Sequence, residues 1–383
     1  MRLPGISSIL FVLGVATFPL YIMPSGLPQA SHFVLLLFAI VYSRGKSACL
    51  SGNFGNSFII YFALYVLVRQ LFFVLETSGV EWLIPVLFLF FNLVVYLSVY
   101  SFFANGPNVA YGNLAIGLTV ALVVAIVGVY VAGVSLIKTD DAMVRAIGTF
   151  NNPNQLAYFS ICSAGLVTVL FVNRYITLLV FIALYICSVL LVMVSLSKAA
   201  LIAILFYLVI FLRKTGTKMV VISISIITFA LSMVAFGPSV DLSNFQFYQR
   251  LEGIGNDSDD SVEGRGMGLF MHIDENIILG WGEGFVKLTE FGKEVHSTLG
   301  NILISYGIVG FIIFMTAMYF IFLGLRKRHG LAVGIALFLP MMLYGIAHNG
   351  IRFSVFWIYL AILSSMGLVV KELPVKLTAN KPL

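Results

Sequence analysis

The chain has 383 residues, of which 60% are hydrophobic and only 10% are charged, and its mean hydropathy is +1.05. Soluble domains are about 45–50% apolar and about 25% charged, so this composition excludes an ordinary soluble fold and indicates a membrane protein. The formal net charge of +6 does not indicate nucleic-acid binding, because the cations are sorted by the side of the membrane on which they fall.

Twelve apolar stretches approach the length of about 20 residues that a helix needs to cross the hydrocarbon core. In chain order they cover 6–24, 28–43, 57–75, 82–104, 113–136, 154–172, 175–195, 198–213, 219–236, 298–324, 331–347 and 351–370. The first stretch lacks a small-residue cleavage site before a polar region, so we read it as a retained span. We predict an all-α polytopic membrane protein with about 12 transmembrane helices in a single membrane domain, 1–383.

The charges orient these spans. With the N-terminus in the cytoplasm, 13 of the 22 Lys and Arg residues but only one of the 16 acids, Glu372, fall on the cytoplasmic side. Short cytoplasmic loops rich in Lys and Arg are typical of the positive-inside rule. An even number of spans then predicts that both termini are cytoplasmic.

Two outer loops are longer than the others, a short one at 137–153 and a long one at 237–297 between spans nine and ten. The stretch Glu263–Ile278 of the long loop predicts an amphipathic surface helix. Gly280, Gly282 and Gly284 are expected to break the chain before the tenth span.

The short outer loop leads into span six through Arg145 and the segment Asn-Asn-Pro-Asn154. The proline favours a helix start, so Asn154 is either an N-cap or first-turn residue, or a ligand-binding amide. Arg145 next to a helix N-terminus favours an anion, especially phosphate. The alternative is an ion pair with Asp140 or Asp141.

The long outer loop adds Arg250, Arg265 and His296. A histidine at the membrane boundary can act as a general base toward a hydroxyl. Its structural alternative is an interfacial residue that caps span ten or bonds to Glu294.

Further polar residues fall on the same outer side. Lys198 lies at the turn between spans seven and eight, and His348 and Arg352 lie at the turn before the last span. Arg69 lies inside span three, where a charge costs about 2.5–3.5 kcal/mol on insertion scales and usually faces a cavity or a partner. Snorkelling to the outer headgroups is its alternative.

Together these cations match a ligand with a lipid tail among the spans and a diphosphate at the membrane surface. No metal-binding spacing is visible apart from the acidic run Asp257–Asp260, which also reads as a solvated loop. Because Arg and Lys can neutralise a diphosphate, no metal or other cofactor is predicted. The three cysteines show no disulfide or metal pattern.

Four segments, in order, resemble the O-antigen ligase and O-antigen polymerase superfamily of bacterial envelope proteins. Arg145 with Gly-Thr-Phe-Asn-Asn-Pro-Asn-Gln (148–155) resembles its Arg…Phe-x-Asn-Pro-Asn segment, and Ser-Leu-Ser-Lys198 resembles its Ser-x-Ser-Arg turn with Lys in place of Arg. Gly264-Arg265 followed by Gly-Trp-Gly-Glu-Gly (280–284) is similar to its Gly-Arg…Gly-x-Gly stretch. His296 with Gly-Ile-Val-Gly (307–310) resembles its His-Asn…Gly-x-x-Gly segment, with Ser297 in place of Asn.

This resemblance implies a GT-C-like glycosyltransferase of the bacterial inner membrane whose active site faces the periplasm. It transfers glycan from an undecaprenyl-diphosphate carrier to an acceptor hydroxyl. By the same resemblance His296 is the general base or orients the acceptor, Arg145 and Arg265 hold the diphosphate, and Lys198 assists.

We expect an O-antigen or exopolysaccharide polymerase, with an O-antigen ligase that attaches polymer to lipid A–core as the alternative. The partners implied are the lipid-linked glycan, an acceptor glycan or lipid A–core, membrane lipid and a chain-length regulator. A flippase or other transporter is the alternative of another class. It is disfavoured because the unusual residues gather on one face of the membrane.

Overall fold

The computed structural model describes residues 5–23, 27–44, 54–130, 136–138, 144–208, 277–288 and 295–368. Six helices in these ranges are long and apolar enough to cross a membrane, and four shorter helices are also apolar. The chain is therefore a helical membrane protein whose described part contains several candidate spans.

The helices, numbered in chain order, are α1 (Ile6–Ala16), α2 (Ala30–Ser43), α3 (Phe54–Thr77), α4 (Ile84–Asn105), α5 (Pro107–Tyr130), α6 (Pro153–Val172), α7 (Leu178–Ser195), α8 (Lys198–Leu205), α9 (Phe285–Leu288), α10 (Thr298–His329), α11 (Leu331–Ala347) and α12 (Ser354–Met366). Short 3₁₀ turns cover Val80–Leu83 and Phe206–Leu208. Two strands, β1 (Leu136–Lys138) and β2 (Val144–Ala146), pair antiparallel within the short loop after α5. The sequence predicted no strands there.

Each predicted span except the ninth overlaps one of these helices. The ninth span (219–236), most of the long loop at 237–297, and the acidic run Asp257–Asp260 lie outside the described residues, as does the predicted surface helix up to residue 276. The count of twelve and the likeness to a GT-C fold therefore stay predictions.

The first helix is shorter than its apolar run because of Pro19. Helix α1 ends at Ala16, and the Thr17 hydroxyl donates to the Leu13 carbonyl at 2.8 Å. The residue before a proline avoids the helical region, so the chain turns at Thr17–Pro19. It turns there although the residues after Pro19 are still apolar.

Helices α6 and α12 form the centre of the bundle. All 13 residues of α12 are buried, as are nearly all of α6. A helix that is apolar all round is expected to be enclosed by others. Helix α12 packs on α4, α6 packs on α7, and α3 packs on α10.

Two ends of the bundle can be distinguished by their contacts. At the first, which we call the site end, the turn after α1 meets the turn before α6 through a hydrogen bond from the Tyr21 amide to the Thr149 carbonyl. The turns before α10 and α12 meet there as well. At the opposite, basic end, the Tyr42 hydroxyl donates to the Ser101 carbonyl at 2.9 Å, and Arg328 donates to the carbonyl of Met366. Within the described ranges, the turns predicted to be outside lie at the site end, and those predicted to be cytoplasmic lie at the basic end.

Candidate active site

A break in helix α10 organises the site end. Gly307 has φ 67° and ψ −173°, so two helical pieces meet at this residue. The break frees backbone groups that would otherwise bond within the helix, and such groups must find partners inside a membrane.

The segment at 278–282 supplies those partners. The amides of Trp281 and Gly282 donate to the carbonyls of Ile304 and Ser305 at 3.1 and 2.8 Å, and the Val309 amide donates to the Ile278 carbonyl at 3.2 Å. The segment therefore pairs with the broken helix much as a strand pairs with its neighbour. It brings the residues that follow it into the bundle.

Two glycines allow this close approach. A Cβ added to Gly307 would lie 2.4 Å from the backbone nitrogen of Gly280, and one added to Gly280 would lie 2.4 Å from that of Gly307. Both residues have positive φ, which glycine adopts without steric cost. The expected chain break at Gly280, Gly282 and Gly284 is confirmed, since all three have positive φ.

Glu283 lies at the centre of the site end. Its side chain is only 5% exposed, and its two carboxylate oxygens have different partners. Oε1 accepts from Nε and Nη2 of Arg352 at 2.9 and 2.7 Å, and Oε2 accepts from the Tyr306 hydroxyl at 2.7 Å. A buried carboxylate is tolerated only when it is paired and hydrogen-bonded, and both conditions are met here.

Helix α3 holds the same segment from the other side. The Gln70 side chain accepts from the Glu283 amide at 2.8 Å and donates to the Glu283 carbonyl at 2.9 Å. Arg69 donates through Nε to the Gly280 carbonyl at 2.6 Å, and its Nη2 lies 3.8 Å from Glu76. Arg69, whose side chain is 13% exposed, therefore has protein partners and does not simply snorkel to the headgroups.

His296 is exposed at the start of α10. The cap of that helix is Ser297, whose hydroxyl accepts from the Gly300 amide at 3.0 Å, so the idea that His296 caps the helix is wrong. Two residues after His296, the Thr298 hydroxyl donates to the His348 carbonyl at 2.8 Å. The two histidine-bearing turns are thereby joined.

Asn154 lies in the first turn of α6, but it is not the N-cap. The cap is Asn152, whose side chain accepts from the Gln155 amide at 2.8 Å. The proline explains the shift, because Pro153 occupies the first helical position and so makes the residue before it the cap. The Asn154 carbonyl accepts from the Tyr344 hydroxyl at 3.2 Å, and the Tyr344 ring lies 4.7 Å from the His348 ring, measured between centroids.

The remaining predicted site residues lie on other elements or outside the described part. Lys198 is the first residue of α8, after the turn that follows α7. Arg145 lies in β2, where its Cα pairs with that of Ile137, and its side chain is outside the described part. Arg250 and Arg265 lie outside the described residues altogether.

Glu283, Gln70 and Tyr306 were missed by the sequence reasoning. The available signal was an acid between two glycines, Gly282 and Gly284, in the loop that leads to α10. Nothing in the local sequence indicates that Gln70 and Tyr306, which are 213 and 23 residues away from Glu283, would bind it.

Within the described ranges, no group of three or more His, Cys, Asp or Glu residues converges as a metal site would require. Cys162 is buried and Cys187 is half-buried, and both are free thiols.

The site end is thus a buried carboxylate and two arginines arranged around a broken helix, in a bundle whose apolar helices could cross a membrane. No protein-family model matches the chain, and no curated protein matches it.

Proposed function

We propose that the protein is a membrane glycosyltransferase that transfers glycan from an undecaprenyl-diphosphate carrier to an acceptor hydroxyl at the site end. The observation that carries the proposal is that five predicted site residues, from four distant parts of the chain, belong to contacting elements at one end of an apolar bundle. They are Arg69, Asn154, His296, His348 and Arg352.

The geometry supports a lipid-linked substrate. The long helices offer apolar surface for a polyprenyl tail, and the polar groups lie where the helices end. Because Arg352 is paired with Glu283 and Arg69 binds the Gly280 carbonyl, we assign these two arginines to holding the site. The diphosphate charge is left to Arg145 and Arg265, with Lys198 assisting, as the family resemblance implies, and to Arg250 of the long outer loop.

The proposed reaction is a displacement at the anomeric carbon of the donor sugar. The acceptor oxygen forms the new bond to that carbon, the bond to the phosphate oxygen breaks, and undecaprenyl diphosphate leaves. His296 takes the proton of the acceptor hydroxyl, a role that its exposed position permits. Cations next to the leaving diphosphate stabilise the charge that develops on it.

The expected setting is the bacterial inner membrane, with the site end facing the periplasm and both termini in the cytoplasm. Within this class we favour a polymerase that extends lipid-linked repeats, together with a chain-length regulator. The alternative is a ligase that transfers finished polymer to lipid A–core. After gene deletion, single repeats on the core indicate a polymerase, whereas full-length polymer left on the carrier indicates a ligase.

The transferase is tested with purified protein in proteoliposomes that contain undecaprenyl-diphosphate-linked oligosaccharide and an acceptor glycan. We expect a longer glycan and released undecaprenyl diphosphate from the native protein, and at least a roughly 100-fold lower rate from His296→Ala. His329→Ala, at the basic end, is the matched control and should keep the native rate. Full activity of the His296 variant would show that the assigned base is wrong.

One observation favours a transporter as the second candidate. Broken helices such as α10 line the binding sites of many transporters. Movement of the lipid-linked glycan between leaflets of proteoliposomes, with no glycan transfer, would support the transporter and contradict the transferase.

A further inference from the structure

The basic end of the bundle carries a second cluster of charged side chains. Arg326, Lys327 and Arg328 lie in the last turn of α10, and Arg174 lies in the turn that follows α6. All four are exposed. Helix α10 has 32 residues, more than the roughly 20 needed to cross the hydrocarbon core, and its last turn carries three of these charges. A bilayer around α10 would therefore place the cluster at headgroup level.

No carboxylate neutralises this cluster within the described part of the chain. The acids there are Glu76, Glu81 and Glu283, and all three belong to the site end. The Arg328 guanidinium donates to the carbonyls of Met366, the last residue of α12, and Leu368, which follows that helix. Uncompensated positive charge at a membrane surface attracts anionic headgroups.

An aromatic pair joins the two parts of the cluster. The Tyr175 ring, next to Arg174, stacks on the Tyr111 ring with centroids 4.6 Å apart. The Tyr111 hydroxyl lies close enough to Ser365 and Arg328 for its charge state to be sensitive to both side chains. Tyrosines of this kind are enriched at the membrane–water boundary, where one end of the ring is apolar and the other is wet.

Exposed apolar side chains lie close to the same tyrosines in the sequence. Val109, two residues before Tyr111, is 56% exposed, and Leu179, four residues after Tyr175, is 78% exposed. A free phosphate ion would gain nothing from such neighbours, whereas a phospholipid could place its phosphate at the cations and its acyl chains against Val109 and Leu179.

We propose that the basic end is a binding site for the phosphate headgroup of an anionic phospholipid. Arg326 and Lys327 hold the phosphate. Arg174 and Arg328 flank it, and the Tyr111–Tyr175 pair supports the boundary between headgroup and acyl chains. The site is separate from the proposed transferase site, because it lies at the opposite end of the bundle.

The test measures lipid retention by native mass spectrometry of the full chain, exchanged into nanodiscs of phosphatidylcholine with a minor fraction of phosphatidylglycerol. We expect retained phosphatidylglycerol on the native protein. Arg326→Gln together with Lys327→Gln should lower the apparent affinity about fivefold per cation, or about 25-fold for the pair.

Three controls make the result decisive. Arg44→Gln removes an exposed cation at the same end but outside the cluster, and it should retain the lipid. The charge-conserving pair Arg326→Lys and Lys327→Arg should also retain it, which separates loss of charge from loss of folding. Equal losses in the Arg44 and cluster variants would overturn the site, and so would displacement of the lipid by millimolar inorganic phosphate. Because no glycan is present, this result does not depend on the transferase proposal.

Discussion

At the site end, Arg69 and Arg352 lie next to the carboxylates of Glu76 and Glu283, whereas at the basic end Arg174, Arg326 and Lys327 have no described carboxylate near them. The backbones differ too. The site end contains a broken helix and three glycines with positive φ, whereas the basic-end half of α10 runs unbroken to His329. The site end is therefore held together by specific buried contacts, whereas the basic end mainly carries exposed charged side chains. Substitutions at the two ends should therefore differ in size.

The largest effect is expected at the helix break. Gly307→Ala would place a Cβ 2.4 Å from the backbone of Gly280, in a backbone region that only glycine adopts readily. We expect a loss of more than about 4 kcal/mol in the free energy of unfolding, measured in bicelles, and poor accumulation of folded protein.

The matched control for this glycine is Gly112→Ala in α5, where an added Cβ meets nothing within 4 Å. It should be neutral, or stabilising by up to about 1 kcal/mol. If both substitutions were tolerated equally well, the pairing of Gly280 with Gly307 would not hold the site end together.

The next effect is expected for the buried carboxylate. Glu283→Ala leaves the Tyr306 hydroxyl and the Arg352 guanidinium without their shared partner. We expect a loss of roughly 3 kcal/mol in unfolding free energy, at the low end for a buried pair because Arg352 is partly exposed. Glu76→Ala, which removes an exposed partner 3.8 Å from Arg69, should cost less than about 1 kcal/mol. Similar losses for both would contradict the central place of Glu283.

A smaller effect is expected at the basic end. Arg328→Gln removes the donor to the Met366 and Leu368 carbonyls, and we expect a cost of about 1.5 kcal/mol in the same unfolding measurement. Arg326→Gln, two residues earlier on the same helix, should change stability by less than about 0.5 kcal/mol. A large loss for Arg326→Gln would mean that the basic end also depends on specific buried contacts.

The smallest loss of stability is expected when the side chain that caps a helix is removed, and one such cap can be compared at each end. Asn152 accepts from Gln155 at 2.8 Å at the site end, whereas Thr177 accepts from Val180 at 3.4 Å at the basic end. Asn152→Ala should cost about 1 kcal/mol and Thr177→Ala about half of that, measured by thermal unfolding in detergent. The reverse order would weaken the view that the site end has the tighter local structure.

Much of the helical framework could be predicted from the sequence, because a long apolar run without charges has no stable place except a buried or lipid-facing helix. The sequence also predicts the side of the membrane for each loop, since Lys and Arg sort by leaflet, and that orientation stays a prediction. The exact residues at which helices begin and end were harder to predict. Pro19 ends α1 early, and Asn152 takes the cap that could have been Asn154. These outcomes depend on one residue each and not on the average character of a segment.

The candidate site could be predicted only in part. Hydropathy and charge act locally along the chain, so the sequence alone indicated a helical membrane bundle with Arg69, His296, His348 and Arg352 on one side of it. The partners of Arg69 and Arg352 depend on the tertiary structure. Arg69 binds the Gly280 carbonyl 211 residues away, and Arg352 binds Glu283 69 residues away. Such pairs form because a buried charge must find an opposite charge or a carbonyl wherever the fold brings one close, and no local pattern contains that information.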